Sequence, residues 1–237
     1  EATGMNIALG SVGISFPLDI KLEELSARQN QDTILYTGSV VIDLDFSKIH
    51  KKQIGIETIE IVNGSFNSLS LIPQMKINSN WGKILLKSES TDFDKGVAAI
   101  NGLSVEDCSL HIALQDTTII DTTASEPIPW LIQVDDIGIK NSIISFNSAG
   151  DTLCTLTKIR NAYISHGDID LLNSIYSVAN LGIDIDTLSV SMTDSFGKLK
   201  NIPFTSTSLS VEDFIMDTTY VGIQNFNLNT GNSPETL

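Results

Sequence analysis

Pro129-Trp130-Leu131-Ile132-Gln133-Val134-Asp135-Asp136-Ile137 carries most of the fold reading, because an earlier stretch, Pro17-Leu18-Asp19-Ile20-Lys21-Leu22-Glu23-Glu24-Leu25, has the same build. Each is followed by an Asp-Thr pair, Asp32-Thr33-Ile34-Leu35 in one case and Asp151-Thr152-Leu153-Cys154 in the other, and then by further alternation of apolar and polar residues. Such alternation marks a strand with one dry and one wet face. A β unit that recurs along a chain lengthens by adding copies, and its apolar face runs on from copy to copy.

The same period of two appears in Ile42-Asp43-Leu44-Asp45-Phe46, in Leu181-Gly182-Ile183-Asp184-Ile185-Asp186, and from Ile223 to Leu228 after one phase slip. Half-wet strands of this kind belong to antiparallel meanders, since strands of buried parallel sheets read as continuous apolar runs. A phase slip near Glu57-Thr58, between Ile54/Ile56 and Ile59/Ile61, predicts a β-bulge that curls the sheet. Helical signal is thin: Ser47 to Gln53, Lys95 to Asn101, and Leu171 to Ala179, where Leu172, Ile175 and Ala179 are spaced by three and four. The polar stretch Asp121-Thr122-Thr123-Ala124-Ser125-Glu126-Pro127-Ile128 breaks the pattern ahead of the second proline phrase.

The expected fold is therefore mainly β: a curved antiparallel meander sheet forming an open groove from two related repeats, with a few short helices. The first repeat is expected over 1–121, a joint over 122–128, the second repeat over 129–230, and a frayed tail over 231–237.

The 237-residue chain is 41% hydrophobic and carries 14 Lys plus Arg against 29 Asp plus Glu, a formal net charge of -15. That charge repels nucleic acid and argues against docking on anionic lipid surfaces. No run approaches the ~18 to 20 apolar residues that span a bilayer as a helix. Cys108 and Cys154 lie in strand-like runs without CxxC spacing and read as small core hydrophobes; a disulfide between them is the other reading.

Catalytic motifs are missing: no Gly-x-Ser-x-Gly elbow, no phosphate loop, no His-Glu-x-x-His. His50, His111 and His166 are widely spaced, and a metal site needs three or four convergent ligands. The pairs Asp43/Asp45, Asp168/Asp170 and Asp184/Asp186 each put two carboxylates on one strand face, and their recurrence reads as a solvated side of the sheet. The expectation is a protein that is not an enzyme, with no cofactor and no metal. Asp-Thr recurs six times and reads as a turn-to-strand cue, with Asp capping the turn. It is also similar to the O-glycosylation sequon of Bacteroidetes envelope proteins, which makes Thr33, Thr117, Thr122, Thr152, Thr187 and Thr218 candidate acceptors. Asn63-Gly64-Ser65 matches an N-glycan acceptor.

In order, Gly10 to Leu25, Gln31 to Tyr36, Val41 to Phe46 and Gln53 to Ile61 resemble the start of the periplasmic region of Bacteroidetes TamB proteins, of the AsmA-like family. Pro129-Trp130-Leu131-Ile132 resembles the opening of that family's second repeat. The resemblance implies a large envelope-biogenesis protein in the periplasm, anchored to the inner membrane by a helix upstream of Glu1. This chain would be its membrane-proximal segment. It also implies an open β groove that carries phospholipid toward the outer membrane or assists outer-membrane protein assembly. The implied partners are phospholipid acyl chains, further β repeats of the same chain and an outer-membrane assembly protein, with no nucleic acid.

The residues agree with such a groove. A buried methylene is worth ~0.8 kcal/mol, so a sixteen-carbon chain needs ~12 kcal/mol of replacement for its place in a membrane. A continuous apolar lining supplies that, and the candidate lining residues are Ile20, Leu22, Ile42, Leu44, Phe46, Ile132, Val134, Ile183 and Ile185. The same residues would equally fill a closed core. Two other readings stand beside this one: a secreted or surface β-sandwich that binds glycan or protein, and a hydrolase on a β scaffold using an Asp pair. An unpaired edge near Val221 to Leu228 is expected to pair with a second copy.

Overall fold

The computed structural model describes residues 5–15, 19–45, 55–69, 71–72, 75–92, 96–115, 129–193 and 199–232. Nearly all of them are strand, and all fourteen strands join one sheet. They are β1 (Met5–Ala8), β2 (Ser11–Ser15), β3 (Asp19–Gln29), β4 (Asp32–Asp45), β5 (Gly55–Asn67), β6 (Met75–Asp92), β7 (Val97–Glu106), β8 (Ser109–Leu114), β9 (Leu131–Asn147), β10 (Leu153–Asp170), β11 (Ile175–Thr193), β12 (Leu199–Met216), β13 (Val221–Gln224) and β14 (Asn227–Asn232). Short strands stack end to end: β1 with β2 along β3, β7 with β8 between β6 and β9, and β13 with β14 along β12. Among the described residues β1 and β2 pair only with β3, and β13 and β14 only with β12, so the sheet is open at both edges.

Every neighbouring pair is antiparallel except two. β7 and β8 run parallel to β9, with Val97 opposite Leu131 and Ala113 opposite Asn147. A parallel pair needs a long return connection, and the chain between Gln115 and Trp130 makes it. Most of that connection, including the expected joint at 122–128, lies outside the described residues. The sheet thus consists of one meander up to β8 and a second from β9, meeting in a parallel seam.

Two transverse rows of bends cross the strands. Positive φ at Glu24, Asn63, Asp107, Asn141 and Ser206 marks the first row; Asp136, Asn180 and Asn225 mark the second. A left-handed residue inside a strand turns the chain and shifts its side-chain alternation by one. The apolar pattern shifts at the same places, running Ile132, Val134, then Ile137, Ile139, then Ser142, Ile144 in β9. Val134 and Ser142 are only 5% and 2% exposed, so the shielded side is kept through both bends. The slip expected at Glu57 is present: Asp43 pairs with Thr58 and Leu44 with Ile56, which leaves Glu57 unpaired. The slip expected after Ile223 falls at Asn225.

The helical expectations fail where they can be checked. Leu171 to Ala179 is a turn followed by the start of β11, and Val97 to Asn101 belongs to β7. In β11 Tyr176 and Val178 alternate with Ser177 and Ala179 opposite β10, and that pairing overrides the three-four spacing of Leu172, Ile175 and Ala179. Ser47 to Gln53 lies outside the described residues. The one helical element described is a 3-10 turn, Ala149–Asp151. β14 runs to Asn232, past the expected start of the tail.

Candidate functional site: the apolar face and its crease

Register carries one side-chain row straight across the sheet: Val12, Leu22, Val40, Ile61, Ile84, Val105, Ile139, Ala162, Ile183, Leu209 and Leu228 are successive partners. Every member is apolar. The adjacent row on the other face runs Ser11, Glu23, Ser39, Val62, Lys83, Glu106, Lys140, Asn161, Asp184, Ser208 and Asn229, polar at all but Val62. At ~4.8 Å between strands the apolar row extends on the order of 50 Å. No second layer covers it among the described residues. A compact protein of 25.7 kDa would expose about 10,400 Å², whereas this chain exposes 15,509 Å².

The expected lining residues fall into two groups on this face. Ile20 opposes Ile42, and Leu22 and Leu44 stand in adjoining rows of β3 and β4. Ile132 and Val134 in β9, and Ile183 and Ile185 in β11, form the other group, with β10 between them. Phe46 lies outside the described residues. The expected lining residues include none from the strands that bridge the two groups, β5 to β8, whose Ile61, Ile84 and Val105 complete the row. Their period-two pattern was the available signal.

Beside the first bend row lies a crease with several well-shielded side chains. Leu25, Thr37, Gly64 and Trp81 are successive partners there, and Ser142 and Ile159 occupy the same level in β9 and β10. Thr37, Ser142, Ile159 and Thr207 are 3%, 2%, 7% and 5% exposed. The Ser142 hydroxyl is fully used, donating to the Lys140 carbonyl at 2.9 Å and accepting from the Cys108 amide at 3.3 Å. Thr37 Oγ1, Trp81 Nε1 and Thr207 Oγ1 are buried without any hydrogen-bond partner. Each such group costs about 1–3 kcal/mol. The Trp81 indole lies on Gly64: a Cβ there would fall 2.2 Å from Cε2 and Cζ2 and 2.5 Å from Nε1.

The wet face holds the titratable groups. Lys83 pairs with Glu60 at 2.7 Å, Lys140 with Glu106 at 3.9 Å, and Arg160 with Asp186. His166 sits between two carboxylates, Nδ1 2.5 Å from Asp135 and Nε2 3.3 Å from Asp168. The hydrogen bond to Asp135 raises the His166 pKa above its ordinary value, with the two aspartate charges adding to it. Ser177 and Gln133 donate to the Asp168 carboxylate at 3.4 and 3.2 Å. Ser177 therefore faces a carboxylate and not the imidazole, so the cluster lacks the base-to-nucleophile contact of a hydrolase triad. Among the described residues no group of three His, Cys, Asp or Glu is arranged to hold a metal ion. Neither Cys108 nor Cys154 forms a disulfide.

The Asp-Thr sites divide. Asp217 caps its turn, accepting from the Thr219 and Tyr220 amides at 2.6 and 2.7 Å, and these bonds hold its carboxyl below the usual range. Thr33, Thr152 and Thr218 are exposed near strand ends. Asp186-Thr187 lies in the middle of β11, where Thr187 pairs with Lys158 and Thr205, so the turn reading is wrong there. Thr117 and Thr122 lie outside the described residues. No family model matches the chain, and no curated protein matches it.

Proposed function

We propose that the chain provides an apolar trough for phospholipid acyl chains, as a periplasmic segment of a TamB-like envelope protein anchored to the inner membrane. The observation that carries this reading is the unbroken apolar row from Val12 to Leu228 on a single open sheet, backed on its other face by a polar row. Bends that keep the shielded side of β9 continuous favour a curved wall with the oily side inward. Acyl chains on that wall replace their membrane surroundings at ~0.8 kcal/mol per methylene, while headgroups remain in water.

The open edges at β1–β2 and β13–β14 suit further strands added in register, from the same chain or from a second copy. The Asp pairs serve the wet face and solubility, with no catalytic task. Native mass spectrometry after gentle purification tests the reading: co-purified phospholipid supports it. Protein that stays lipid-free after incubation with phospholipid vesicles, across several preparations, overturns it.

A further inference from the structure

We propose that the crease over Gly64 is a niche for the carbonyl oxygen of a long-chain acyl ester, which deepens the lipid-trough reading and rests on it. Two observations converge there. Thr37 and Trp81 are the two register partners of Gly64, one on each side. Both carry a buried polar atom without a partner. Nothing but hydrogen stands on Gly64, so the indole covers the glycine and its Nε1 lies over the position a side chain would occupy.

The chemistry of the two groups selects the ligand. An indole N–H donates only, and a threonine hydroxyl donates as readily as it accepts. One oxygen with two lone pairs satisfies both, which is the description of a carbonyl. Val40, Ile61 and Ile84 form the next row, while the nearby cations Lys83 and Lys87 lie in rows of the wet face. A free phosphate finds no charge partner in the crease, whereas a neutral ester carbonyl with a hydrocarbon tail matches donors and walls together. The tail follows the apolar row, and the indole tilts off the glycine to open the niche.

Trp81 is itself the reporter, once the other tryptophan is removed by Trp130→Phe. Two probes are titrated against this protein: the methyl ester of an ω-brominated undecanoic acid, and a bromoalkane of matched length. Bromine near the indole quenches its fluorescence. The expected result is about 25- to 100-fold tighter binding of the ester than of the alkane, the value of two hydrogen bonds. Thr37→Val keeps the shape, removes the hydroxyl and lowers the ester preference to about five- to tenfold, the value of the Trp81 bond alone. Equal affinity of both probes for the Thr37 protein overturns the niche and leaves the trough standing. Absence of quenching by either probe overturns both. Trp81→Phe, followed by native mass spectrometry with the same probes, separates a lost reporter from lost binding: an ester preference undiminished in that variant also overturns the niche.

Discussion

The two meanders bend at the same level and finish the crease differently. In the second, Ser142 folds its hydroxyl back onto the Lys140 carbonyl and takes the Cys108 amide, so the polar group closes on itself. In the first, Thr37 and Trp81 flank a glycine and leave two donors unused. A bend therefore does not by itself require unpaired groups, and the first meander keeps an avoidable cost. Thr207 shows that the second half is not wholly free of it, though Thr207 faces Ile185 and Thr230 with no glycine between.

The largest effect should come from charging the shielded face in either half. Val40→Asp and Val134→Asp each bury an unpaired carboxylate, expected to cost about 3–5 kcal/mol. Val62→Asp on the wet row should stay within about 1 kcal/mol. Urea unfolding followed by circular dichroism reads all three. If Val134→Asp melts only half the sheet, the parallel seam does not couple the meanders.

Next come the glycines. Gly64→Ala drives a methyl into the Trp81 ring and should cost about 2–3 kcal/mol. Gly138→Ala, whose Cβ meets nothing within 4 Å, should be neutral or gain a few tenths of a kcal/mol. Thermal melts that rank them the other way would refute the placement of the indole. Within the bend row, Asn141→Val puts a β-branched residue at φ 48 and should lose about 1–2 kcal/mol. At the same level in β10, Arg160→Val meets no positive φ and should lose about 0.5 kcal/mol or less, the value of an exposed ion pair.

The smallest effect is one of pH. Since His166 has a raised pKa in the fold, its tie to Asp135 contributes fully below the unfolded value of ~6.5. The contribution fades as pH rises through the folded value. Melting temperature of the wild type should fall slightly relative to His166→Asn over that interval, and an NMR titration of the ring should show the upward shift directly. A flat difference would show that solvent screens the pair completely.

Much of this was legible in the sequence. Alternation named the strands, the slip at Glu57 named a bulge and the one after Ile223 a bend, and Asp217 behaves as a turn cap. What escaped is instructive. Leu172, Ile175 and Ala179 satisfy a helical spacing, but that spacing also fits a turn followed by a strand, and only the pairing with β10 separates them. The parallel seam was invisible because β7 and β9 have the same half-wet pattern as their antiparallel neighbours; pattern reports faces and is silent on direction. The crease escaped because Thr37, Gly64 and Trp81 are far apart along the chain and meet only through register.

That seam has a consequence for direction. Were every pairing antiparallel, β3 and β9 would run opposite ways; with one parallel contact they run the same way. β3 and β9, the strands that follow the two prolines, therefore enter the sheet from the same side. On the proposed trough, an acyl chain passing from the first meander to the second would meet strands β3 and β9 on the same hand, as on a track whose left and right rails never exchange.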